Sequence, residues 1–443
     1  MSAILLTNIA IINPFSDPRY LPNGYLLIND NIIEKIGTGY PGSETINETE
    51  CTILNLAGKT ILPGMINFHT HLYSSLALGM PAPAETPTNF REILKQVWWK
   101  LDYALDKNLT ELSYQIGLVE CLRHGVTTVI DHHSSQNFID KSLQLLADTA
   151  ERLGVNIGLA FETTDRNGKE RFERGVNENL SAIEKYQSHQ NIWPLFGMHA
   201  SFTLSDESLA IIRDKQQENS KSGIHIHVSE DKWDEDDARQ RGYRSVIQRL
   251  ASFDLINEDS LIVHGLHMIP EDLVTLSKSN AVLIHNPSSN ANNAVGILPS
   301  STVKKLNPGL GTDGRQASML REVNEGTLIR NASTELPTNY LELLFKNNPS
   351  YIEKLFHQKI GILKPGYCAD LAIYDYHPKT EISSSNCMKH VQFGLGVPTD
   401  VMTSGQFRIR NNNFVDIDED AILREGQNAA PILWKKMLDK TYD

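Results

Sequence analysis

From residue 61 to about residue 360, short apolar runs alternate with polar turns and with longer segments in which Leu, Ile or Ala recurs at i, i+3, i+4 and i+7. A short continuous apolar run fits a strand buried on both faces, and the 3.6-residue recurrence fits an amphipathic helix. Strands are predicted over 61–68, 127–131, 156–161, 193–198, 223–228, 260–263, 281–284 and 309–312. Helices are predicted over 109–123, 139–153, 178–186, 206–217 and 271–277. Eight strands alternating with helices predict an α/β fold, a (β/α)8 TIM-like barrel. An open doubly wound sheet fits less well, because no Gly-rich phosphate turn follows the first strand.

The two ends are patterned differently. Residues 3–12, 24–36 and 52–56 are continuous or alternating apolar runs separated by turn clusters such as Leu21-Pro22-Asn23-Gly24, and short strands return at 366–376 and 401–409. Neither half is long enough to close a stable sheet alone. The expectation is a small β-sandwich domain built from both chain ends, 1–60 plus 361–443, with the barrel over 61–360 inserted between them.

Composition narrows the function. A formal net charge of −13 argues against a nucleic acid polymer as partner, since such binding relies on phosphate neutralisation by Lys and Arg. A small molecule is the expected ligand. No run approaches the roughly 18–20 apolar residues of a membrane span. The first residues lack a basic segment before an apolar run and a cleavage site, unlike a signal peptide. Cys51, Cys121, Cys368 and Cys387 show no close pairing, as expected of reduced thiols in a cytoplasmic protein.

In a barrel of this kind, chemistry sits at the carboxyl ends of the strands. The first predicted strand ends in His69 and His71, which share one face because i and i+2 project together. Neutral imidazole is the commonest protein ligand for a divalent transition metal. The next ends are Asp131-His132-His133, Phe161-Glu162-Thr163-Thr164, His199, His227-Val228-Ser229-Glu230, His264, His285-Asn286-Pro287-Ser288-Ser289-Asn290 and Gly311-Thr312-Asp313-Gly314. Independent core histidines would not collect at one end of successive strands.

These strand ends, with Leu363-Lys364-Pro365-Gly366-Tyr367-Cys368-Ala369-Asp370-Leu371 near the other end, resemble the amidohydrolase superfamily over essentially the whole chain. The similar branch holds guanine and cytosine deaminases, adenosine-type deaminases and triazine hydrolases. Within it, Trp98-Trp99-Lys100-Leu101-Asp102, Asp131-His132-His133 and Phe161-Glu162-Thr163-Thr164-Asp165-Arg166-Asn167 are similar to the SsnA-type aminohydrolases.

The resemblance implies His69 and His71 as a first metal pair, His227 as the third ligand and Asp313 as the fourth. It implies Glu230 as proton shuttle and His264 as the residue that orients or deprotonates water, a task Asp313 could share. His199, His285 and Asn286 are expected to contact substrate. Residues 193–203 contain no Lys that could bridge two metals, so one divalent transition metal is expected, zinc before iron. Such a metal lowers the pKa of bound water from about 15.7 to near 7.

The implied activity is an aminohydrolase that releases ammonia from an amidine-like carbon of a purine, pyrimidine or related heterocycle. Alternatives are hydrolysis of a cyclic amide, displacement of chloride or an alkylamine, or a metal-stabilised binding protein without catalysis. Family analogy implies a homo-oligomer, a dimer before larger forms. His225, one pleat below His227, is expected to hydrogen-bond a ligand rather than act as one. The segment 73–103 is expected to pack as a lid or a subunit contact.

Overall fold

The computed structural model describes residues 3–42, 51–219 and 222–438. Eight parallel strands line the barrel: β1 (Met65–Thr70), β2 (Val126–Asp131), β3 (Asn156–Leu159), β4 (Phe196–Ala200), β5 (Ile224–Val228), β6 (Leu261–His264), β7 (Val282–His285) and β8 (Gly309–Leu310). They hydrogen-bond in two parallel sheets, β1 to β3 and β4 to β8. Isolated parallel bridges from Thr163 to Met198 and from Thr70 to Asp313 join the two. At the second seam the Thr312 and Asp313 N–H groups donate to the His69 carbonyl at 3.0 and 2.9 Å. Closure of the barrel therefore delivers Asp313 to the first strand.

Two expected strands divide. The run 61–68 changes sheet at Gly64, whose N–H donates to the Asp370 carbonyl at 2.8 Å. Thr60–Pro63 belongs to the terminal sheet, and Met65–Thr70 to the barrel. A Cβ at Gly64 would stand 2.4 Å from the Thr127 hydroxyl, so only glycine passes there. The run 193–198 breaks at Pro194, which has no N–H to donate. Ile192–Pro194 pairs with β3, and Phe196–Ala200 with β5.

Both chain ends contribute to one nine-stranded sheet. Its junction is Thr60–Pro63 paired antiparallel with Leu371–Tyr374. Leu6, Ile9, Leu26, Ile61, Leu371, Ile373 and Met402 form an apolar core with no accessible surface. The helix Glu419–Met437, which the sequence reading placed with this domain, leaves the sheet and packs on the barrel helix Lys107–Arg123. Its buried positions Ile422, Leu433 and Met437 form the apolar stripe that requires this, and Trp434 Nε1 donates to the Leu76 carbonyl at 2.9 Å. No helix among the described residues is long and apolar enough to cross a membrane.

Candidate metal centre and catalytic pocket

Three imidazoles meet at the carboxyl ends of β1 and β5, each with Nδ1 engaged elsewhere. His71 Nδ1 donates to the His132 carbonyl at 2.6 Å, and His227 Nδ1 to the His199 carbonyl at 2.9 Å. His69 Nδ1 and His225 Nε2 share a hydrogen across 2.9 Å. His225 thus takes the supporting role that its depth in the strand implied.

With Nδ1 engaged, the Nε2 atoms of all three rings converge: those of His69 and His227 on each other, and that of His71, which holds a proton for Asp313, on the same point. His69 and His227 bring theirs within 3.3 Å of each other. Asp313 Oδ1 lies 3.0 Å from His71 Nε2 and 3.8 Å from His69 Nε2. One donor atom from each of His69, His71, His132 and His227 lies within 4.8 Å of the others, as does one from each of His69, His264 and Asp313. Bare nitrogens facing each other in a buried site repel unless a cation lies between them. The donor set suits zinc, which takes imidazole nitrogen and carboxylate oxygen.

The electrostatics agree. Burial and the neighbouring imidazoles hold His69 and His227 well below the usual histidine range, hence neutral. Burial opposes charge on His71 as well, but its hydrogen bond to Asp313 raises it to about 9. Burial would likewise raise Asp313, yet His71 and its neighbours hold that carboxylate far down. A cation in place of the His71 proton would take over the same two ligand atoms.

Asp313, His264 and Ser229 all have left-handed backbone, with φ of +57°, +75° and +50°. Non-glycine residues held there store strain of order 1–3 kcal/mol each, and such strain gathers at functional sites. The Asp131 carboxylate accepts the Leu72 N–H at 2.7 Å and so holds the turn that carries His71. His132 stacks on His225 with ring centres 4.3 Å apart. His133 turns away to Ser135.

Beside the imidazoles opens a cavity lined by His71, His199, His227, Glu230 and Asp313. Glu230 Oε2 lies 3.4 Å from His264 Nε2, and its Oε1 accepts from Asn293 Nδ2 at 3.4 Å. Burial and the Asp313 charge push Glu230 well above the usual carboxylate range. His264 Nδ1 donates to Asn290 Oδ1 at 2.8 Å, so its unpartnered Nε2 presents a lone pair toward Glu230 and Asp313. Burial keeps that imidazole neutral. His199 also reaches the cavity.

The family model for amidohydrolases matches residues 60–407. The chain belongs to the amidohydrolase family. A 5-methylthioadenosine/S-adenosylhomocysteine deaminase of Thermococcus onnurineus is 26% identical over 393 residues, covering 84% of this chain and 89% of the relative. A 5'-deoxyadenosine deaminase of Methanobrevibacter smithii is 25% identical over 444 residues, covering 97% of each. The crystal structure of an adenosine deaminase from Xanthomonas campestris, with bound zinc, superposes with a TM-score of 0.80 at 17% identity over 98% of both chains.

Two expected substrate contacts of this amidohydrolase lie off the cavity wall. His285 and Asn286 are buried and absent from the cavity wall; His285 lies against Tyr340, its Nε2 3.4 Å from the hydroxyl. The strand ends at His285, and a short helix, Pro287–Asn292, starts just after Asn286. Helical spacing brings Ser289, Asn292 and Asn293 to the cavity instead. Ser289 Oγ donates to Asp313 Oδ2 at 2.6 Å.

The segment 73–103 supplies Tyr73, Phe90, Leu94 and Trp98 to the wall, facing Phe202 and Trp233. Glu162, also on the wall, is the acidic group that strand-end reading passed over. Burial raises it to about 7. In the sequence it stands at the end of the third strand and within the run 161–167.

Proposed function

We propose that this amidohydrolase deaminates a heterocycle, replacing the amino group on an amidine-like carbon with oxygen and releasing ammonia. The convergence of three imidazole Nε2 atoms and one carboxylate beside a buried acid, Glu230, carries the reading. His69, His71, His227 and Asp313 would hold one divalent ion, zinc first, and it would supply Lewis-acid activation of water. His264 offers a neutral, fixed lone pair that orients the attacking water and accepts its hydrogen bond. Glu230 takes the water proton and passes it to the ring nitrogen beside the reacting carbon. It then helps protonate the departing amine. Its raised pKa suits both steps, because burial and the Asp313 charge make this carboxyl hold a proton more readily than an exposed one would.

The relatives named as deaminases of adenosine-type nucleosides support this reaction class over loss of chloride or an alkylamine. The aromatic walls, Trp98, Phe202 and Trp233, suit a flat ring. Four free cysteines fit a reducing, cytoplasmic setting, and a homodimer is the proposed assembly. Ammonia release should be screened across purines, pyrimidines and their oxidised forms, with metal content measured on the same sample. A metal-loaded protein that releases ammonia from none of them would refute the reading.

A further inference from the structure

Glu162 is a buried carboxylate that the proposed reaction does not use. It follows β3, is 2% exposed and lines the cavity. Its salt-bridge-range neighbours are imidazoles: His132 Nδ1 at 3.4 Å, His71 Nδ1 at 3.5 Å and His199 Nε2 at 4.0 Å. The His71 Nδ1 hydrogen is already spent on the His132 carbonyl at 2.6 Å, so Glu162 is not what orients that ring. The His199 Nδ1 hydrogen goes to the Thr203 hydroxyl at 3.1 Å, whose own hydrogen goes to the Ala200 carbonyl at 2.9 Å. His199 Nε2 is therefore a bare acceptor, set beside a second acceptor.

The Arg166 charge favours ionisation of this carboxylate, but its guanidinium hydrogen bonds are directed elsewhere. Its Nη2 donates to Asp102 Oδ2 at 2.9 Å, and its guanidinium lies over the Trp99 ring at 4.8 Å. Trp99, Asp102 and Arg166 come from the very runs that set this chain near one subgroup of its family, and they meet behind this wall. His132 Nδ1 can serve Glu162 Oε1, but Oε2 faces the bare His199 Nε2, and two acceptors set side by side on a cavity wall favour a ligand that brings a donor.

We infer that Glu162, with His199 beside it, is a specificity-determining residue that accepts a hydrogen bond from a ring N–H, selecting heterocycles with a lactam- or imide-type N–H edge over rings that bring only bare nitrogens to that side. The inference rests on the proposed deaminase reading for the ligand being a heterocycle. A site built to accept such a hydrogen bond rejects an analogue lacking it far more strongly than an apolar pocket rejects an extra methyl group.

The test is calorimetric titration of the metal-loaded full chain with xanthine, which has no amino group to lose, and with its four singly N-methylated forms. At least one methylation should weaken binding roughly 10- to 100-fold, the worth of one charge-assisted hydrogen bond. Glu162→Ala should lose xanthine affinity by a similar factor and abolish that preference, and the isosteric Glu162→Gln should show an intermediate loss. Metal content should be unchanged in both variants. Absence of an N–H preference in the wild type, whether all rings bind or none does, overturns the inference. So does a methylation penalty that survives in Glu162→Ala. If the preference holds but no heterocycle yields ammonia, the deaminase reading fails and the assignment of Glu162 stands.

Discussion

The terminal sheet and the mouth of the barrel are both buried, and they spend burial in opposite ways. The sheet core is Leu6, Ile9, Leu26, Ile28, Ile61, Leu371 and Ile373, apolar throughout. The mouth buries His69, His132, His225, His264 and Asp313 together, with both ring nitrogens of His132, His225 Nδ1 and His264 Nε2 lacking a partner. Each unpaired buried polar group costs about 1–3 kcal/mol, and apolar burial returns about 25 cal/mol per Å². One region stabilises the chain, and the other draws on that stability to hold lone pairs where a ligand can use them. Substitutions in the sheet should therefore change stability and leave chemistry intact, whereas substitutions at the mouth should do the reverse.

The largest expected effect is at His227. His227→Ala should abolish measurable turnover and drop bound metal well below one ion per chain, read by elemental analysis, while circular dichroism remains that of a folded barrel. Retained metal in that variant would break the contrast. Next comes Glu230→Gln, which should keep its metal and lose about 100- to 10,000-fold in kcat, the usual worth of a general acid–base.

Leu371→Ala tests the other region. Loss of a fully buried leucine should cost about 2–5 kcal/mol in chemical denaturation, with kcat and metal content unchanged per folded molecule. The smallest effect concerns Glu322, beneath the helix that bears Ser289. Burial raises it to about 7, although it accepts hydrogen bonds from Ser288 and Gln316. A folded-state pKa above the ordinary glutamate value of about 4.5 means that the folded protein holds this proton more tightly. Its stabilising contribution is present below about 4.5 and is lost as pH rises through about 7. Glu322→Gln should flatten the fall in denaturation midpoint between pH 5 and 8, and an unchanged slope would count against it.

Much of the site was legible along the chain. Period-two spacing sets His69 and His71 on one face, and the ends of successive strands marked His199, His227, His264 and Asp313. Two places differ from the strand-end pattern. His285 and Asn286 sit at a strand end like the others, but the helix that begins at Pro287 re-aims the following residues, so Ser289 and Asn293 reach the pocket instead. Gly64 reads as the turn before a strand, and only its contacts with Thr127 and Asp370 show that two sheets meet there.

The residues alone determined which elements form and which faces they bury, because hydrophobic periodicity and backbone geometry act over a few neighbours. Only the closed barrel decided which lone pairs point at one another. That depends on hydrogen bonds between residues more than 150 positions apart, such as His69 with His225 and Thr312 with the His69 carbonyl. It is also why Glu162 acquires its place beside His199 in three dimensions rather than in the chain.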